Sequence, residues 1–371
     1  MAGIYFHIPF CKTRCVYCDF FSSTNKNMKE DYVKAMCKEL QNREDYLKEQ
    51  PVETIYFGGG TPSQLSAKDF DRLFDTLYSC CYSIDSQMYE ITLEANPDDI
   101  TNEYLRSIRH LPFNRISLGI QSFNDDELKF LNRRHNAQSA IHAVNLCKES
   151  GFTNVGIDLM YGLPGQTQEI WTENIRQAIY LKIQHISAYH LIYEKGTPLY
   201  RLLKQGLFNP VDEELSIKMF DTLIDSLAEA GFEQYEISNF AQPGYSSKHN
   251  SSYWTGAHYL GIGASAHSYN GISRQWNKKI HGAQYINHKP EIEMIDEKTA
   301  YNDFIITRLR TMKGINTNEL CSLFGEREKN DCWKKAKKFL DTGMLEMEND
   351  HLRLTRKGIF VSDGIMSELM R

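Results

Sequence analysis

Short strands alternate with helical segments through the first half of the chain, and this alternation constrains the fold more than any other feature. Six runs are rich in β-branched and aromatic side chains, namely 4–8, 54–57, 89–94, 115–120, 154–160 and 185–192. Apolar residues recur at helical spacing between them, as over 30–48 and 168–182. The alternation predicts βαβ units and a parallel sheet. Periodicity alone leaves open whether that sheet stays open or curls toward a barrel.

Polar and glycine-rich stretches follow the carboxyl ends of these strands. They are the cysteine loop at 11–18, the GGGTP stretch at 58–62, Glu94, Gln121 and the YGLPGQT stretch at 161–167. Ligand sites collect at this end of the strands in barrels and in open α/β sheets alike. We therefore expect these residues to face one common cleft.

The composition narrows the class of protein. The 371 residues carry a net charge of −6, which argues against binding nucleic acid or a lipid surface mainly by electrostatics. No apolar run approaches the length of a transmembrane helix, and the amino terminus does not resemble a signal peptide. We expect a cytoplasmic protein and leave peripheral association with a membrane open.

Three of the nine cysteines are closely spaced. Cys11, Cys15 and Cys18 form a C-x3-C-x2-C pattern on one predicted loop. A structural zinc site is normally closed by a fourth Cys or His, and Asp19 and the strand residue His7 are poor candidates for that position. Three thiolates suit instead a [4Fe–4S] cluster that leaves one iron open to an outside ligand.

The other cysteines are scattered over predicted helices. They are Cys37, Cys80, Cys81, Cys147, Cys321 and Cys332. A reducing compartment keeps such residues as thiols, and an isolated cysteine usually behaves as a small buried hydrophobe. We expect all six to be core residues without a chemical role.

The character of the sequence changes twice along the chain. Residues 1–232 carry the alternating pattern, whereas 233–294 are rich in Gly, Ser, Asn, His and aromatic residues and predict loops folded over the site. Residues 295–371 predict helices and one hairpin at 345–355 that turns at Asn349-Asp350. This last part suggests a small winged-helix-like module, in which no basic recognition helix stands out.

Six separated motifs carry a resemblance to a known family. They are YFHIPFCKTRCVYCDF, YFGGGTPS, LEANPDD, RISLGIQSFNDDELKFLNRRH, GIDLMYGLPGQT and YEISNFA. The cysteine loop followed by GGGTP resembles the radical S-adenosylmethionine (SAM) superfamily. The whole set, in order and spacing, is similar to its branch of oxygen-independent coproporphyrinogen III dehydrogenases (HemN) and heme chaperones (HemW). The resemblance implies an α/β fold, a partial (β/α)6 TIM-like radical SAM barrel with a small C-terminal winged-helix-like α+β module.

The resemblance also implies the cofactors. In this superfamily the amino and carboxylate groups of SAM bind the open iron of the [4Fe–4S] cluster. One electron from the cluster cleaves SAM to methionine and a 5′-deoxyadenosyl radical, which abstracts hydrogen. Glycines at 58–60 would let the backbone approach the methionyl end of SAM closely.

SAM-binding positions of the family match specific residues of this chain. Tyr5 and Tyr17 match aromatic residues beside SAM, and Glu94 matches the carboxylate that holds the ribose of SAM. The loop at the methionyl group of SAM is matched by Gly58, Gly59, Gly60 and Thr61. Residues that contact a second SAM in the dehydrogenase are matched by Gln121, Arg133 and Asp158. Simpler readings stay open for three of them. Tyr5 could be core packing and Asp158 could cap a strand end. Arg134 could point inward in place of Arg133.

Two features favour the chaperone side of this branch. Phe20 stands where the dehydrogenase carries a further cysteine, and HNSSYW at 249–254 matches the HNxxYW motif that marks the chaperones and implicates them in heme binding. An imidazole in a flexible loop can ligate heme iron, and aromatic neighbours can stack on the porphyrin. We expect His249 to be the ligand, with His258 and His267 as competitors. The Tyr and Trp of the motif are as consistent with packing.

The resemblance therefore implies a protein that binds a cluster, SAM and heme, and that delivers heme to acceptor hemoproteins such as membrane respiratory enzymes. An electron donor for the cluster is a further expected partner, and nucleic acid is not. A homodimer, and any radical turnover that would make the chain an enzyme, are left open. The alternative function is that of a coproporphyrinogen III dehydrogenase, which converts two propionates to vinyl groups by oxidative decarboxylation.

Overall fold

The computed structural model describes residues 2–47, 50–80 and 90–371. Cys81 lies outside the described residues, as do Lys48 at the end of a predicted helix and Tyr89 at the start of a predicted strand. In the described ranges, the helices are too short or too polar to cross a membrane.

Six parallel strands form the centre of the molecule in the order of the sequence. They are β1 (Ala2–Ile8), β2 (Val52–Gly59), β3 (Glu90–Ala95), β4 (Arg115–Gln121), β5 (Val155–Tyr161) and β6 (His185–His190). Each strand pairs in parallel with the next, so that Phe6 lies beside Phe57 and Phe57 beside Leu93. The predicted parallel α/β sheet is confirmed.

Helices follow the strands and cover one face of the sheet. They are α1 (Lys29–Asn42), α2 (Ala67–Ser79), α3 (Asn102–Ile108), α4 (Asp125–Phe130), α5 (Ala137–Glu149), α6 (Gln168–Tyr180), α7 (Pro198–Lys204) and α8 (Glu213–Glu229). Phe57 shows which face they cover, because its ring stacks on Phe6 and packs edge-on against Phe70 of α2. Side chains that alternate with these apolar ones, such as Tyr56 and Glu94, point to the opposite, concave face.

The segment 233–294 is not the loop region that the sequence predicts. It contains β7 (Glu233–Glu236), β8 (Asn239–Ala241), α9 (Lys248–Thr255), β9 (His258–Ile262), β10 (His267–Tyr269), β11 (Ser273–Trp276) and β12 (Glu291–Met294). Most of these elements are too short to show periodicity, and the pairings that join the segment to the central strands are distant in sequence. In particular, β9 pairs in parallel with β1.

The added strands extend the sheet at both edges. The order is β12-β11-β10-β9-β1-β2-β3-β4-β5-β6-β8-β7, and no pairing joins its two end strands in the described part of the chain. The result is an open, partial barrel of the predicted α/β class.

The last part of the chain forms a small α+β module, as predicted. It contains α10 (Glu297–Leu309), β13 (Ile315–Asn316), α11 (Thr317–Phe324), α12 (Glu326–Asp341), β14 (Leu345–Glu348), β15 (His351–Leu354), α13 (Arg356–Ile359) and α14 (Ser362–Leu369). The predicted hairpin is β14–β15, which turns at Asn349 (φ 47°) and Asp350 (φ 62°). The module contacts the barrel through Arg310, whose guanidinium pairs with the buried Glu236 at 3.1 Å. The bounds of the three predicted domains stay predictions.

Candidate cofactor site at the carboxyl ends of the strands

The three closely spaced cysteines lie on the loop between β1 and α1, directly after the end of β1. Cys11, Cys15 and Cys18 are free, half-buried thiols. The loop is held at its base, where the Cys11 N–H donates to Ser23 O at 2.9 Å and the Gly60 N–H donates to Ile8 O at 2.8 Å. Within the described ranges, no three His, Cys, Asp or Glu side chains are arranged to hold a metal ion. The structure thus brings the thiols to one loop without converging them on a common point.

The surroundings of the thiols fit a sulfur-ligated cationic centre. Burial raises the pKa of Cys11, and it raises the pKa of Cys18 to about 11, with the neighbouring thiolates adding to both shifts. A positive charge is already in place, because the Arg133 guanidinium lies 3.2 Å from the Cys15 sulfur. Thiolates at these positions therefore need cationic compensation, which bound iron would supply.

The candidate fourth protein ligands are not positioned for that role. Both ring nitrogens of His7 are in hydrogen bonds, to the Tyr5 hydroxyl at 3.1 Å and to Phe21 O at 2.9 Å. Asp19 is exposed to solvent. A set of three thiols without a fourth side chain fits an iron–sulfur cluster with one open iron better than it fits a structural zinc site.

The three glycines after β2 occupy positions that a side chain would block. A Cβ on Gly58 would lie 2.8 Å from the Tyr56 ring, and a Cβ on Gly60 would lie 2.8 Å from Ile8 O. Gly59 has φ +107°, which other residues rarely adopt. Thr61 follows, and its hydroxyl donates to the Cys11 sulfur at 3.5 Å. The glycine loop and the cysteine loop are therefore in direct contact.

Glu94 lies beside this loop at the end of β3. Its carboxylate accepts the Tyr56 hydroxyl at 2.6 Å and the Gly59 N–H at 3.3 Å. Burial, opposed by the hydrogen bond from Tyr56 and reinforced by the charge of Asp158, raises the pKa of Glu94 to about 7. A carboxylate in this position can accept hydrogen bonds from hydroxyl groups of a ligand.

The two aromatic residues predicted to flank SAM have different surroundings. The Tyr5 ring stacks on Tyr56 with 6.1 Å between ring centroids, and its hydroxyl reaches His7. Tyr17 packs against a small apolar cluster that includes Leu131. Burial raises the pKa of both phenols, so both are neutral.

Arg133, and not Arg134, points inward. Beyond its contact with Cys15, Arg133 donates to Asn96 Oδ1 at 2.7 Å and to the Gly119 carbonyl. Arg134 pairs instead with Asp98 at 2.5 Å.

The remaining two predicted positions lie on neighbouring strands. Gln121 is buried at the end of β4 with φ 72°. Asp158 lies in the middle of β5, so it does not cap a strand end. Burial raises the pKa of Asp158, opposed by its hydrogen bond with Ser187 and by the charge of Arg115.

The HNSSYW motif lies toward the amino ends of the strands, where the His249 ring stacks on Tyr56 with ring centroids 5.0 Å apart. His249 lies in α9 and is only 1% exposed. Its Nδ1 is 2.8 Å from the Thr54 hydroxyl and its Nε2 is 2.9 Å from the Tyr253 hydroxyl. Burial lowers the pKa of His249 to about 3. The prediction of a flexible loop is wrong, because Ser247 caps a helix whose first residues bind Glu90 at the start of β3.

In this arrangement neither nitrogen of His249 is free for iron, and its role as heme ligand stays a prediction. Tyr253 packs edge-on against His249, and Trp254 lies under the Arg310 guanidinium at 4.8 Å. The motif residues therefore pack between the barrel and the C-terminal module.

Sequence reasoning missed the buried polar groups beneath the site. Arg115 at the start of β4 is 1% exposed, and its Nε lies 4.0 Å from Glu90. The sequence does contain a signal for Arg115, because this arginine is the first residue of the otherwise apolar strand RISLGI. A second correction concerns Cys321, which is half-buried and donates to Glu326 at 3.0 Å instead of packing in the core. Cys37, Cys80, Cys147 and Cys332 are buried, as predicted.

Comparison with known proteins gives the family. The model of the radical SAM superfamily matches residues 5–178, and the model of the HemN C-terminal domain matches 295–361. A protein of Lactococcus lactis named heme chaperone HemW is 32% identical over 374 residues, covering 99% of this chain and 96% of that protein. This chain belongs to the HemW family. Membership in this radical SAM family implies a [4Fe–4S] cluster and SAM.

Other relatives agree with this assignment. A HemW of Bacillus subtilis is 37% identical over 278 residues, covering 75% of this chain and 73% of that protein. A mouse protein named radical S-adenosyl methionine domain-containing protein 1, mitochondrial, is 31% identical, covering 100% of this chain and 87% of that protein. The structure of coproporphyrinogen III oxidase (HemN) from Escherichia coli superimposes with a TM-score of 0.84 at 21% identity, covering 100% of this chain and 90% of that one. The HemW-family chain and HemN therefore share a fold.

Proposed function

We propose that this chain is a heme chaperone that binds a [4Fe–4S] cluster, SAM and heme, and that passes heme to acceptor hemoproteins. The observation that carries the heme part is the full-length similarity to proteins named heme chaperone HemW. Phe20 and HNSSYW support the same side of the branch. The cofactor part rests on the thiols, the glycine loop and Glu94, which meet at one end of the barrel.

Different residues of the site would bind the cluster and the different parts of SAM. Cys11, Cys15 and Cys18 would bind the cluster, and Arg133 would offset the negative charge of the thiolates. The backbone at 58–60 leaves room for the methionyl end of SAM, because a Cβ there would occupy that space or meet its neighbours. Glu94 would accept hydrogen bonds from the ribose hydroxyls of SAM. Tyr5 and Tyr17 would lie beside its adenosine group.

The polar residues deeper in the barrel complete the arrangement. Gln121, Arg133 and Asp158 face the ligand side of β4 and β5, where in the proposed complex they position the bound SAM. When the cluster is bound and reduced, it supplies the electron that cleaves SAM. An electron-donor protein is thus a required partner if any turnover occurs.

The proposal is tested by reconstituting the protein anaerobically, loading it with heme and mixing it with the heme-free form of a b-type respiratory hemoprotein. We expect cluster absorption, SAM binding and a Soret band that moves to the acceptor. Retention of heme by this chain, or the absence of heme binding, would contradict the chaperone function.

The same preparation separates the alternative function. The assay adds coproporphyrinogen III, SAM and a reductant, and it measures protoporphyrinogen IX. We expect none. Robust formation of this product would establish a coproporphyrinogen III dehydrogenase in place of a chaperone.

A further inference from the structure

The strands β9, β10 and β11 continue the concave face of the barrel sideways from β1. The contacts of alternate side chains along β10 and β11 distinguish the face covered by helices from the concave face. Arg43, just after α1, donates to Ser268 Oγ at 3.0 Å and to Gln275 Oε1 at 3.1 Å, so these two face the helix layer. His267 and Trp276, one position away on each strand, face the concave side.

An exposed His267 and a half-buried Trp276, whose indole N–H donates to Glu291 at 2.9 Å, form an aromatic pair on this face. They are directly opposite each other across β10 and β11, with ring centroids 6.0 Å apart and an angle of 24° between the rings. His267 is exposed, and its ring nitrogens make no hydrogen bond in the part of the chain that the structure describes. An imidazole with a free nitrogen can ligate heme iron, and the indole stacked on it would fix the orientation of the imidazole ring.

This pair lies near the cofactor end of the barrel. A Cβ on Gly261 would lie 2.1 Å from His267 O, and one on Gly263 would lie 2.7 Å from His7 O, so His267 is at the carboxyl end of β9 beside the carboxyl end of β1. The next segment returns to the cysteine loop, where His281 stacks on Phe21 with ring centroids 4.6 Å apart. The surface of β10 and β11 is therefore continuous with the site of the thiols.

The two competing histidines lack these properties. His249 is buried with both nitrogens in hydrogen bonds. His258 is half-buried at the start of β9, where it pairs with Ala2 at the amino end of β1, and its Nε2 packs against Gly271. Of the three, only His267 combines exposure, a free ring and proximity to the cofactor end.

Positive charge near His267 suits the carboxylates of a porphyrin. Lys278 and Lys279 are exposed and make no ion pair among the described residues. Lys279 lies two residues after Asn277, whose N–H donates to Ala266 O at 2.9 Å beside His267, and its charge helps to lower the pKa of His267. Arg274 is less available, because it already pairs with Asp303 and Glu293. A propionate would find a cationic partner at Lys279 without breaking an existing pair.

We propose that His267 is the axial ligand of the heme that this chain carries, with Trp276 orienting the imidazole and Lys279 at a propionate. The proposal rests on the function proposed above and names the binding site for that heme. Burial, Lys279 and Arg274 together lower the pKa of His267, which favours the neutral imidazole that ligates iron.

The test is a titration of the full-length protein with ferric heme, followed by absorption and low-temperature electron paramagnetic resonance. We expect His267→Ala to lose the low-spin signal of the wild-type complex and to bind heme at least about tenfold more weakly. Added free imidazole should restore the spectrum by occupying the vacated position. Lys279→Glu should weaken binding by about fivefold, in a salt-dependent way, and leave the Soret position unchanged.

Matched variants keep the proposal open to contradiction. His281→Ala removes another exposed histidine on the same side and should leave the spectrum as in wild type. His249→Gln should also keep the heme spectrum, with circular dichroism confirming that the variant is folded. An unchanged spectrum in His267→Ala, or loss of the ligand signal in folded His249→Gln or in His281→Ala, would overturn the assignment. If the wild-type protein binds no heme, the proposed function itself fails.

Discussion

The two ends of the barrel interior differ in what their polar groups bind. At the carboxyl ends of the strands, thiols with raised pKa, a carboxylate with a pKa of about 7 and a glycine loop meet without a closing side chain. At the amino ends, α9 closes the barrel. Glu90 binds its first N–H groups, and His249 has a partner for each ring nitrogen.

The contrast shows that a motif is not by itself a ligand site. Both the cysteine loop and HNSSYW stand out in the sequence, and both contain residues that bind iron in other proteins. The sulfurs of Cys11 and Cys15 accept hydrogen bonds from Thr61 and Arg133, and such bonds can persist when a thiolate binds iron. The histidine of HNSSYW uses its nitrogens to fix a helix between the barrel and the C-terminal module.

The largest expected effect is at the open end. Cys11→Ala, Cys15→Ala and Cys18→Ala should each lose nearly all iron and acid-labile sulfide after reconstitution, because each thiolate is one of only three ligands. Cys37→Ala is the matched control, since Cys37 is a buried cysteine of α1. Iron and sulfide analysis per chain gives the result. Equal losses in all four variants would show that the cluster assignment is wrong.

The next effect concerns the closed end. His249→Ala should lower the free energy of unfolding by about 2–4 kcal/mol, because it leaves a cavity and removes the partners of Thr54 and Tyr253. His267→Ala, at an exposed position, should change it by less than about 0.5 kcal/mol. Urea denaturation of the apo-protein measures both. A similar loss of free energy of unfolding in the two variants would show that His249 is no more important for stability than the exposed His267.

A smaller effect should appear in the pH dependence of SAM binding. The pKa of Glu94 is raised to about 7, so the carboxyl is mainly protonated below that pH and mainly ionised above it. Because the proposed ribose contacts need the ionised acceptor, SAM affinity should rise about tenfold from pH 6 to pH 8. Calorimetry on the reconstituted protein measures the change, and Glu94→Gln should flatten it. An equally steep profile in Glu94→Gln would assign the titration to another group.

The sequence predicts the open end better than the closed end for a physical reason. Strands β1 to β6 have local signals, since apolar runs such as RISLGI must be buried, and the cysteine spacing is itself local. The pairing of β9 with β1 joins residues more than 250 positions apart, and nothing local marks it. Helix α9 shows no apolar stripe, because its inward residue His249 meets hydroxyl groups in a polar interior.

The smallest expected effect is at Phe20, the residue that distinguishes this cysteine loop from that of the dehydrogenase. Its side chain is 63% exposed, so Phe20→Ser removes little buried surface and should change the free energy of unfolding by less than about 0.5 kcal/mol. Iron content should also stay at the wild-type level, because the residue has no ligand atom. The iron content of Phe20→Ser is measured together with that of Cys18→Ala, which shows how large the loss is when a ligand is removed. A large loss of iron in Phe20→Ser would show that this exposed ring protects the cluster from solvent. The carboxyl end of the barrel would then be closed in part by Phe20.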